Sequence, residues 1–207
     1  MGTAVLAEKV DYSDLPHVLN KSVVLGIITC VFVVALSFGT RFLEGPAETA
    51  VCGALVALGI ALHVVLPAIW VNPRTVEGIS GAAGIGLGAS VVYLLVDVTL
   101  LQNIGIYTNR WAQIGGGSNW WYHPVWWQVG CYISWLGAFI WANQAERGGT
   151  SAVKVISLTA VCTVVCGVVA AASHFPAAGW NYPTFGVASL PGLALATLVS
   201  SFGEKRA

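Results

Sequence analysis

The sequence predicts an all-α polytopic membrane protein, a bundle of six transmembrane helices with both termini on the cytoplasmic side. Three observations predict it. Only 9% of the residues are charged and 57% are hydrophobic, whereas a soluble domain carries roughly 25% charged residues, so there is too little polar surface to cover a globule in water. The apolar residues run in blocks of about 18 or more, the length a helix needs to cross hydrocarbon about 30 Å thick. They are too continuous for barrel strands, and no other structure satisfies the backbone in lipid. Finally, the nine Lys and Arg residues are distributed unevenly over the connecting segments, and such a bias sets orientation.

The elements follow in order. Residues 1–21 are mixed polar and lack the basic start and cleavage site of a signal peptide; they read as a cytoplasmic tail or an interfacial helix. The first span is 22–40, closed by Arg41. The second is 49–71, closed by the turn-forming Asn72-Pro73. The third, 78–101, carries Asp97. The fourth, 124–143, opens on Pro124, which suits a first helical turn because no hydrogen bond is lost there. The fifth is 155–173 and the sixth 184–202, followed by a cytoplasmic tail, 203–207. With this division Lys9, Lys21, Arg74, Arg147, Lys154, Lys205 and Arg206 fall on one side, and Arg41 and Arg110 on the other. The basic side is the cytoplasmic one, as expected of a protein of a bacterial inner membrane.

Nine basic and nine acidic residues balance, and no basic run points to nucleic acid. Cys30, Cys52, Cys131, Cys162 and Cys166 all sit in apolar segments without a CxxC pair, so they read as small packing residues. In the run 78–90, GISGAAGIGLGAS, Ser80, Gly84 and Gly88 repeat every four residues. Small residues at that spacing let helix backbones approach, which makes span three central with one small-residue seam. The GISG stretch resembles the serine motif of the rhomboid intramembrane proteases, whose chemistry needs a histidine at matching depth. Ser80 and His174 fall at opposite membrane faces, so packing is the reading adopted.

The outer face holds the densest chemistry. The stretch GGGSNWWYHPVWWQ, residues 115–128, carries four of the nine tryptophans. Trp and Tyr favour the membrane–water interface, so an aromatic belt explains much of it. Polar groups converge at the same depth, however. Asp97 lies four residues, roughly 6 Å, inside the outer end of its span, and an intramembrane acid faces a partner or a cavity. Its expected partner is Arg110 or an outer-loop histidine. The candidate ligand- or partner-binding set is therefore Asp97, Arg110, Trp120, Trp121, His123, Trp126, Trp127, His174 and Trp180. His123 and His174 are the candidate metal pair.

His63 is the mid-span histidine, about 12 Å from the cytoplasmic end of span two. Pro67, one turn on, has no N–H for the His63 carbonyl, and Gly59, one turn before, leaves room beside the ring. His63 is therefore the candidate cofactor-binding residue, and the groups considered are a tetrapyrrole or a lipid- or quinone-like ligand. Pro191 frees a second carbonyl, that of Val187, in span six.

Three functions compete on these readings. The low charge, short loops, small-residue packing and exposed-type tryptophans favour a non-catalytic subunit of a larger membrane assembly, energy-transducing or pigment-bearing, with lipid and other subunits as partners. The proline-broken spans allow a channel or transporter for a small solute. Asp97 under aromatic rings allows an enzyme acting on a lipid or isoprenoid, with Asp97 as its acid.

Overall fold

The computed structural model describes residues 11–107, 122–175 and 177–202, with the backbone alone over 122–126. Among them every regular element is helical: α1 Leu15–Phe42, α2 Gly45–Val71, α3 Val76–Val96, α4 Tyr122–Glu146, α5 Ala152–Ser173 and α6 Tyr182–Ser201. Asp97–Leu101 extends α3 as a π-helical turn. Five helices, α1, α2, α3 with its extension, α5 and α6, are long and apolar enough to cross a membrane. The sixth, α4, has 25 residues.

The ends are set by local chemistry. The Asp14, Thr75, Ser151 and Asn181 side chains accept from the backbone N–H three residues on and start α1, α3, α5 and α6, satisfying donors a first turn leaves open. Asn72 and His174 close α2 and α5 in the left-handed conformation, at φ 52° and 53°. The first helix starts at Leu15 and not at 22, because Asp14 caps it and Pro16 sits in its first turn. Residues 15–21, expected in a tail or interfacial helix, are thus continuous with the first span.

α3 lies between α1 and α4, α4 also packs on α2 and α6, and α5 packs chiefly on α6. Instead of one small-residue seam, α3 has two. Gly81 and Gly88 meet Ser13 and Ser22 on the α1 side. Gly86 and Ser90 meet Gly130 and Ser134 of α4, so closely that a Cβ on Gly86 would run into the Gly130 carbonyl. Ser80 is exposed. A strict four-residue repeat drifts by about 40° per step on a 3.6-residue helix, which carries Ser80 off the face that Gly88 occupies. Gly137 of α4 approaches the backbone of Val64 of α2 in the same way.

One end of the bundle gathers the Tyr12 N–H on the Val71 carbonyl, 2.9 Å, and Arg147 on the carbonyls of Ser200 and Phe202. Lys21 lies over the Trp70 ring there, 5.3 Å from its centre. Asp11 holds the α2–α3 turn by accepting from the N–H groups of Arg74 and Thr75 at 2.7 and 3.0 Å. The opposite end gathers Ser37, Arg41, Asp97 and Ile106. Ser37 Oγ donates to the Ile106 carbonyl (2.9 Å) and Arg41 to that of Gly105 (3.1 Å).

Candidate functional site

Asp97 is the buried acid of the α3 extension, 1% exposed. Its carboxylate accepts from Gln102 Nε2 on one oxygen, at 2.6 Å, and from the Tyr107 hydroxyl on the other. The π-helical turn brings Gln102 round to it: the Gln102 N–H bonds the Asp97 carbonyl, five residues back, at 2.9 Å. The segment carrying Tyr107 is held in turn by Ser37 and Arg41. With both oxygens engaged by Gln102 and Tyr107, the carboxylate ties the end of α3 to the segment that follows it.

Most of the outer-face residues expected around Asp97 lie where their placement is not described. Arg110, Trp120 and Trp121 lie outside the described residues, and so do the side chains of His123 and Trp126. Trp127 is exposed on α4. Exposed His174 caps α5 through its own backbone, and Trp180 tilts against Phe185, with ring centres 6.5 Å apart, just before α6. The partners identified for Asp97, Gln102 and Tyr107, come from its own stretch of chain. Their spacing of five and ten residues matches no α-helical face, so only the π-helical turn reveals the pairing.

The second polar centre is in mid-bundle. His63 Nδ1 lies 2.9 Å from the Gly59 carbonyl, and Nε2 lies 3.1 Å from Thr29 Oγ1 of α1. A carbonyl only accepts, so Nδ1 carries the proton and Nε2 presents its lone pair when the ring is neutral. The single Thr29 hydrogen then has two acceptors in reach, Nε2 and the Leu25 carbonyl at 2.8 Å. The His63 carbonyl that Pro67 leaves open is taken by Ser134 Oγ of α4 at 3.2 Å.

Around His63 lies a crevice of about 280 Å³, walled mainly by apolar groups of α1, α2, α4 and α6, among them Phe32, Leu55, Ile133 and Leu190. The tetrapyrrole expectation fits poorly: Thr29 stands at the one ring nitrogen with a lone pair. The room expected beside Gly59 is present, since Gly59, Phe32 and His63 all line the crevice. Among the described residues no three of His, Cys, Asp and Glu gather as a metal site, and no disulfide links the cysteines. Thr29 and Ser134 had no signal in the sequence, because hydroxyls are common in membrane helices and their partners lie 34 and 71 residues away.

Compared with protein-family models, curated proteins and solved structures, the chain matches none.

Proposed function

We propose that this protein is a non-catalytic integral membrane subunit of a larger membrane assembly. In this reading α4 is also a span, the fourth of six, and both termini are cytoplasmic in a bacterial inner membrane. The tryptophan-rich stretch 115–128 lies on the outer side, for anchoring or for contact with a partner or ligand. The seven-to-two division of basic residues supports the orientation, as does the meeting of Tyr12 and Ser200 with the same end of the bundle. The observation that carries the reading is that both buried polar centres are engaged by the protein itself: Asp97 takes Gln102 and Tyr107 of its own segment, and His63 joins α2 to α1. A solute path needs polar walls, whereas the His63 crevice is almost wholly apolar.

The test is mild detergent extraction from native membranes, followed by native mass spectrometry. Reproducible co-purifying subunits are expected. An isolated chain that carries a solute across liposomes would overturn the reading in favour of a transporter, and turnover of an isoprenoid lost on Asp97→Asn would overturn it in favour of an enzyme.

A further inference from the structure

The end of the bundle where Arg147 meets α6 holds a cavity of about 590 Å³, lined by the α4–α5 turn, the start of α5 and the end of α6. Two cations line it, Arg147 and Lys154. Arg147 Nη2 gives its hydrogens to the carbonyls of Ser200 and Phe202. A guanidinium has five donors, so Nε and Nη1 keep three, on a group that α6 holds in place. Among the described residues neither cation is paired with a carboxylate. Ser151 Oγ accepts from the Lys154 N–H at 3.4 Å and keeps its own hydrogen for an acceptor. Gly148 and Gly149 leave the rim open, since a Cβ on either would meet nothing within 4 Å. The lining also takes in Leu158 and Val199. Leu158 is one helical turn past Lys154, about 6 Å further along α5.

We infer that this cavity binds the headgroup of an anionic phospholipid, whose phosphate accepts from Arg147 and Lys154 while the root of its chains lies on Leu158 and Val199. Charge selects the sign, because two cations without a carboxylate attract an anion. The donors select phosphate: guanidinium, ammonium and hydroxyl all offer hydrogens, and phosphate oxygens only accept them. The apolar lining selects a lipid over a free anion. α5 and α6 are long and apolar enough to cross a membrane, and Val153, Ile156, Leu198 and Val199 are exposed. Hydrocarbon therefore begins within about a turn of the cations, where a lipid places its glycerol and first methylenes. The headgroup carries net negative charge, because a zwitterionic lipid would bring a third cation to a place that already has two. The inference takes only the membrane from the proposed function and does not depend on the chain being a subunit.

The experiment titrates the full chain in neutral detergent with phosphatidylglycerol, and separately with phosphatidylcholine of the same chains, followed by native mass spectrometry. The first phosphatidylglycerol should bind more tightly than any phosphatidylcholine. Lys154→Gln should weaken it about fivefold, the equivalent of about 1 kcal/mol for one cation at a membrane surface. Gly149→Glu, which sets a carboxylate on the open rim, should weaken it at least as much. Neither substitution should alter phosphatidylcholine binding. Equal affinity for the two lipids, or equal weakening of both by the substitutions, would show a bulk-lipid groove and overturn the assignment. Without lipid, Lys154→Gln should melt at the native temperature; a lower value would mean that the charge is used within the fold and would also overturn it. Displacement of phosphatidylglycerol by an equal concentration of inorganic phosphate would show a soluble-anion site, with the same consequence. Tight phosphatidylglycerol binding by a chain that co-purifies with no other subunit would overturn the proposed function and leave this site standing.

Discussion

Tyr107→Phe removes one donor from a buried carboxylate and leaves the ring in place. The Tyr107 hydroxyl bonds one Asp97 oxygen and Gln102 the other, and Asp97 is 1% exposed, so solvent cannot replace the lost donor. A hydrogen bond to a charged group contributes about 1.5–3 kcal/mol. The substitution should therefore cost about 2 kcal/mol, roughly a 30-fold fall in the folded-to-unfolded ratio. The backbone there stays tied by Ser37 and Arg41, so the loss belongs to the hydroxyl. In an Asp97→Asn background the same change removes only a neutral bond, about 1 kcal/mol, leaving a coupling of about 1 kcal/mol between the two sites. Reversible unfolding by sodium dodecyl sulfate in mixed micelles, followed by far-ultraviolet circular dichroism, measures all four variants. Equal costs in both backgrounds, within about 0.3 kcal/mol, would refute the pairing and the role given to the π-helical turn.

Gly137→Ala places a Cβ against the Val64 carbonyl and 2.9 Å from Val64 Cα, where 3.4–4 Å is ordinary contact; α2 and α4 must part, at about 1–3 kcal/mol, in the same unfolding assay. Ser134→Ala should cost about 1 kcal/mol by stranding the His63 carbonyl, and much less in a Pro67→Ala background, where the restored N–H reaches that carbonyl; equal costs in the two backgrounds would contradict the assignment.

Several features of the site were legible in the sequence. Pro67 alone implies an open carbonyl at His63, and the structure supplies the donor that completes it. Asp97 stands out as an acid in an apolar block, and it is indeed buried and bonded. Its partners were not legible. The expected partner Arg110 lies outside the described residues, while nothing in the spacing of Tyr107 ties it to Asp97. The glycine-rich run of α3 announced close packing but not its direction, and the two seams differ by a rotation that a four-residue count does not resolve.

The sequence by itself determined the class of the protein and the approximate position of every helix described. That follows because long apolar blocks and their capping residues are local properties, readable without knowing what lies beside them. Which face of each helix turns inward was decided only by the tertiary structure. A soluble helix reveals its buried face through a polar opposite side. These helices carry apolar residues all round, as on α1, where Leu25 and Val33 are buried while Ile27 and Val31 face outward. In lipid the facing is set instead by small residues that admit a neighbouring backbone and by hydrogen bonds between distant segments. The Gly86–Gly130 approach and the His63–Thr29 bond are of this kind, and each depends on which helices meet.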